Sequence, residues 1–203
     1  QVDLYDGPDG TIVGRIGGVS GIAAFAISID PATGKVFIAQ YLSLQHSPGS
    51  FDDAVTLTAG ALQAVVTDTN AFGSASDSTD IGAHVSFEDD GPAVNADTDA
   101  VASGQFTAET GNVITAVGTT NSGADTQGAD GAVVAGIAAG STAGGIDANV
   151  GTAIQGLYGK LTIQSDGSYS YVRDAASQGG HADVFTYTLK DGDGDLAHTA
   201  LTI

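Results

Sequence analysis

The chain has 203 residues and a mass of 20.0 kDa, is 42% hydrophobic, and sets 24 acidic against five basic side chains for a formal charge of −19. A surface of that sign repels polyphosphate backbones and anionic membranes, which argues against nucleic acid as a partner and makes a cation the natural one. Cysteine is absent, which excludes disulfides, thiolate nucleophiles and sulfur-bound metals, while length and apolar content suffice for one large or two ordinary domains with their own cores.

The acidic residues are 22 Asp and two Glu, Glu88 and Glu109. Aspartate has a short arm that favours turns and supplies hard oxygen ligands, so the bias points to loop-borne carboxylates rather than salt-bridged helices. The opening QVDLYDG has neither Met nor a basic, apolar leader and reads as the interior of a longer polypeptide. AVVAGIAAGSTAGGI, at Ala132 to Ile146, is too short and too broken by glycine to span a bilayer, so membrane insertion is not expected.

Val2 to Leu4 and Thr11 to Ile16 are short apolar or alternating pieces around DGPDG, a Gly/Pro/Asp turn. IAAFAISI, DPATG and KVFIAQYLSL predict a hairpin, with a short helix near Ile22 to Ile27 as the rival. Further strands are expected around Val55 to Thr58, Leu62 to Thr67 and Ile81 to Phe87, with a polar turn before the last. The acidic stop EDDGP places a domain boundary, giving modules at 1–91 and 92–203 with the acidic joint PAVNADTDAVA opening the second.

In the second module, strands are expected near Gly104 to Thr107, Asn112 to Val117 and Ala132 to Ile137; AAGSTAGGIDANVGTAIQG has no clear assignment. Lys160 to Gln164 and Ser168 to Val172 form a predicted hairpin around Ser165-Asp166-Gly167, and Val184 to Leu189 and Ala197 to Ile203 another around DGDGD. Phe185, Tyr187 and Leu189 share one face, with Val184, Thr186 and Thr188 on the other. Tyr158, Tyr169, Tyr171, Phe185 and Tyr187 are expected in a core with a tyrosine edge, a ligand surface being the alternative. The pattern predicts an all-β chain of two tandem antiparallel β-sandwich domains.

GKLTIQSDGSYSYVRD, ADVFTYTLKDGDGDLAHTALTI and TDIGAHVSFEDDGPAVNADTD resemble the tandem repeats of large bacterial RTX adhesins secreted by the type I route, with cadherin-like, VCBS or Bap-like immunoglobulin-type modules. The resemblance is strongest at 81–101 and 158–203. It implies an extracellular extender module on the bacterial surface, stiffened by calcium, contacting neighbouring modules of the same polypeptide and serving adhesion or biofilm formation. As a fragment it is expected to be monomeric. TDTNAFGSAS departs from the pattern where such repeats often carry a DGDG-like turn, which weakens any metal site there.

Three acidic groups are candidate calcium ligands. Asp191, Asp193 and Asp195 crowd three charges onto one turn, which costs free energy unless a cation offsets it; solvation in a loop is the alternative. The spacing does not fit an EF-hand, because Leu196 and Thr202 stand where that loop needs Gly and Glu. Glu88, Asp89, Asp90, Asp97 and Asp99 flank the joint, where calcium could draw its oxygens from both modules, or where they form a solvated hinge. Asp125 and Asp130 could form a further loop site or simply cap turns, whereas Asp3, Asp6 and Asp9, and Asp52 with Asp53, read as solvated turn residues.

GGHADVF is one imperfect copy of the calcium-binding RTX nonapeptide and does not make a β-roll. Catalytic readings find no G-x-S-x-G elbow, HExxH pair or phosphate loop, so an enzyme is not expected. The competing reading is a glycan- or protein-binding module.

Overall fold

The computed structural model describes residues 1–46 and 54–203; the expectation for Asp52 and Asp53 falls outside them. The chain divides between Asp89 and Asp90 into two units, each described separately below. In the first, β1 (Val2–Asp6), β2 (Ile12–Ile16), β3 (Ile22–Ile29) and β4 (Val36–Gln40) form an antiparallel sheet in chain order. They are followed by β5 (Ala54–Thr56), β6 (Gln63–Asn70), β7 (Gly73–Asp80) and β8 (Ser86–Glu88), with β5 paired to β8 and β6 to β7.

DPATG closes the expected β3–β4 hairpin: Asp30 accepts from the Ala32 N–H at 2.9 Å and the Thr33 hydroxyl at 2.6 Å, and the helix rival is overturned. The polar stretch expected as a turn is instead β7, in ladder with β6 from Gln63↔Asp80 to Asn70↔Gly73. Every β7 residue is exposed, so no apolar alternation marks it as strand. The strand expected over Ile81 to Phe87 is confined to Ser86–Glu88, because Gly82–His84 winds into a single 3-10 turn. Ala24, Phe25, Ile27, Leu62, Val85 and Phe87 make the core of this unit, with the Phe25 and Phe87 rings 4.6 Å apart.

The second unit contains β9 (Asp97–Thr98), β10 (Glu109–Asn112), β11 (Ala132–Ala139), β12 (Ile154–Gln155), β13 (Gly159–Ile163), β14 (Ser168–Arg173), β15 (Val184–Asp191) and β16 (Leu196–Thr202). One sheet has the order β10-β14-β13-β12 and the other β11-β15-β16-β9; the β16–β9 pair is parallel and the remaining pairs are antiparallel. Inward residues of both sheets merge in one core containing Val134, Ile137, Leu161, Ile163, Tyr169, Tyr171, Phe185, Tyr187, Leu189 and Leu201. Among the described residues no helix is long and apolar enough to cross a membrane.

The strands expected at Gly104 to Thr107 and Asn112 to Val117 do not form. Asn112 Oδ1 accepts the N–H groups of Ile114 and Thr115, each at 2.9 Å, and this side-chain competition turns the chain where the apolar residues suggested a strand. β15 is buried on both faces. Thr186 and Thr188 carry the second face, with their hydroxyls accepting the N–H groups of Thr142 at 3.0 Å and Ile146 at 2.8 Å. The glycine-rich stretch without an assignment therefore covers the central strand.

Phe185 is fully buried and meets Tyr171 edge to face with centroids 6.2 Å apart. Phe185→Ala is expected to cost about 3–5 kcal/mol, seen as a lower urea midpoint at unchanged slope in the unfolding curve.

Candidate metal centre

The last hairpin turns through DGDGD. Asp191, the final residue of β15, uses Oδ1 to accept the N–H groups of Gly194 at 2.9 Å and Asp195 at 2.7 Å. Gly194 has φ 113°, a conformation that side chains disfavour, so glycine is needed there. Asp191 Oδ2 is left buried with no hydrogen-bond partner, in a residue only 8% exposed. Asp130 reaches the same turn from the loop before β11, and ligand atoms of Asp130, Asp191 and Asp193 all lie within 4.8 Å of one another. A Cβ on Gly192 would stand 2.6 Å from Asp130 Oδ2, so that glycine is what admits the third carboxylate.

Burial pushes the Asp191 carboxyl up to about 6, with further upward pressure from Asp193 and Asp130; the Asp195 and Gly194 N–H bonds only partly oppose it. Three carboxylates gathered this closely form a hard, anionic donor set, the chemistry that calcium takes with further oxygens from backbone or water.

Residues 1–82 match the family described as a domain of unknown function, DUF5801. That stretch ends before any of these three carboxylates. No curated protein matches the chain.

The sequence grouped the remaining carboxylates differently from the structure. Asp125 and Asp130 do not form a shared site: Asp130 joins the DGDGD turn, whereas Asp125 turns to the core with Asp97. The Tyr187 hydroxyl lies 2.9 Å from both Asp97 Oδ2 and Asp125 Oδ2 and 3.2 Å from the Asn95 carbonyl, so one hydrogen faces three acceptors. Asp97 is 1% exposed and its Oδ1 has no hydrogen-bond partner. Burial raises it to about 6, opposed by bonds from Tyr187 and Ser122 and assisted by the Asp125 charge.

Asp99, two residues on, takes the Tyr169 hydroxyl at 2.5 Å and the Ala100 N–H at 2.7 Å. Asp195 is buried on the DGDGD turn, and Glu88 is exposed at the end of β8. Asp89 lies 3.6 Å from His46 Nδ1 in the first unit. Asp90 begins the second unit, where its carbonyl backs onto Gly128 so closely that a Cβ there would lie 2.1 Å away.

Asp183 is a structural carboxylate that GGHADVF did not reveal. Its oxygens accept the Leu157 N–H at 2.6 Å, the Tyr158 N–H at 3.0 Å and the Tyr171 hydroxyl at 2.7 Å. The available signal was a tyrosine in the facing hairpin, whose buried hydroxyl needs an acceptor.

Asp97 and Asp191 have folded pKa values of about 6 against an ordinary 3.8, so the folded state holds more protons between those limits. The cation-free chain then loses stability as pH rises through that window. Calorimetry in EDTA is expected to give a higher unfolding temperature at about pH 5 than at about pH 7, and Asp97→Asn and Asp191→Asn should each narrow the difference. Tyr187→Phe removes the hydrogen shared by the Asp97 pair and is expected to cost about 1–3 kcal/mol in urea unfolding.

Proposed function

We propose that the chain is a calcium-stiffened extender segment of a large secreted bacterial surface adhesin, its two units being tandem modules of immunoglobulin- or cadherin-like sandwich type. The observation that carries this reading is the buried, unpartnered Oδ2 of Asp191 within the Asp130, Asp191 and Asp193 group. Support for the module type comes from the two sheets of the second unit around one core and from the likeness of 81–101 and 158–203 to RTX adhesin repeats.

Calcium at this turn would tie the β15–β16 hairpin to the loop before β11 through three side chains. Ligands of this kind suit the millimolar calcium outside cells, so the segment would gain rigidity on export. Extension away from the cell is then served by stiffness, with no chemistry required of the carboxylates.

Thermal unfolding in calcium, magnesium and EDTA tests this reading. With free calcium about 100-fold above its dissociation constant, stabilisation of about 2.7 kcal/mol is expected, on the order of 10 °C in midpoint for a domain of this size. Magnesium should do much less, because it demands a tighter octahedral cage. Asp191→Asn and Gly192→Ala should reduce the calcium increment, the second by displacing Asp130. Equal midpoints in calcium and EDTA would remove the proposal.

A further inference from the structure

Away from the DGDGD turn, the second unit has a cleft of about 300 Å³ between the chain following β9, the end of β14 and the connection leading to β15. That volume is at the lower end of the range for small-molecule sites. Arg173, the second unit's single arginine, lines it. The guanidinium is held from two sides: Nη2 donates to the Ser177 carbonyl at 2.7 Å, and its central carbon lies 4.9 Å from the centroid of the Phe106 ring.

Arg173 is held in place without a salt bridge to any described residue. Among the described residues it makes no ion pair, although the chain carries 24 carboxylate side chains. Nearby carboxylates spend their oxygens on other donors, Asp99 on Tyr169 and Ala100, Asp183 on Tyr171 and two backbone N–H groups, and Asp174 on the Gln155 amide at 2.8 Å, while their charges still act around the cleft. A guanidinium presents five donors in a fork that matches a carboxylate, and its bond to Ser177 leaves most of that fork available.

The cleft also has an aromatic element, in which one ring covers a face of the other. Tyr158 and His181 stack with centroids 4.9 Å apart and planes within 10°, the tyrosine half-buried and the histidine exposed. Gln178 adds an exposed amide able both to donate and to accept.

We infer that this cleft binds an acidic monosaccharide unit of the uronate class, with Arg173 pairing its carboxylate, one outer face of the Tyr158 and His181 stack lying along the apolar face of the ring, and Gln178 bonding a hydroxyl. A carboxylate without a ring would leave the aromatic stack and most of the volume unused. A neutral sugar would bury the Arg173 fork without a counter-charge. A phosphate would bring a second negative charge into a molecule at −19, whereas a uronate brings one. The inference stands apart from the proposed calcium function, since no residue of the cleft belongs to the Asp130, Asp191 and Asp193 group.

The test is a titration of the full, calcium-treated chain, freed of excess ion, with methyl glucuronide, followed by backbone amide resonances. Saturable shifts at 178–182 are expected, with a dissociation constant on the order of millimolar. Methyl glucoside and acetate should bind at least about tenfold more weakly, as should the uronide to Arg173→Gln. Unchanged core resonances report that the variant is folded; if they move, His181→Ala, altered at an exposed position, supplies the same comparison. Absence of saturable shifts, equal binding of glucoside and glucuronide, or full affinity in a folded variant would overturn the inference.

Discussion

Burying an aspartate in so acidic a chain requires a proton donor at its oxygen, and the second unit meets that constraint with tyrosine. Tyr169 donates to Asp99, Tyr171 to Asp183, and Tyr187 to the Asp97 and Asp125 pair. Each ring sits in the core, and each hydroxyl meets a carboxylate from outside its own hairpin. The loops are thus pinned to the same residues that form the hydrophobic interior. Burial raises the pKa of all three phenols, reinforced by their carboxylate partners, so they remain donors throughout the physiological range.

The DGDGD turn is where this device stops. Its carboxylates are gathered by backbone N–H bonds and by the approach of Asp130, and no tyrosine hydroxyl is among Asp191's hydrogen-bond partners. Tyrosine answers the electrostatic problem by donating one hydrogen to a shared acceptor pair. A divalent ion would answer it by coordinating several oxygens at once.

Legibility in the sequence followed apolar alternation. β13 and β14 were readable because buried residues recur with period two, β15 and β16 because their β-branched and aromatic runs flank an acidic, glycine-rich turn, and DGDGD was readable as that turn. β7 was missed because both its faces are exposed, and β9 and β12 because two residues cannot display a period. The carboxylates were legible as a class but not as groups: nothing local tells that Asp130 travels to Asp191 while Asp125 travels to Tyr187. That pairing is fixed by the β11–β15 register and by the space left at Gly192. The first unit, where much apolar surface remains exposed, was correspondingly the harder half to read.

One feature of the second unit bears on how it would carry tension. β9 lies near its beginning and β16 at its end, and the two run parallel, with Asp97 opposite Leu201 and the Asp99 N–H bonded to the Thr202 carbonyl at 2.9 Å. Pulling the unit by its two ends drives these strands in opposite directions along their own length. The interstrand bonds are then loaded together in shear, rather than opened in succession as when a hairpin is unzipped. Under such a load the short β9, almost invisible in the sequence, would be the latch between the two ends of the unit.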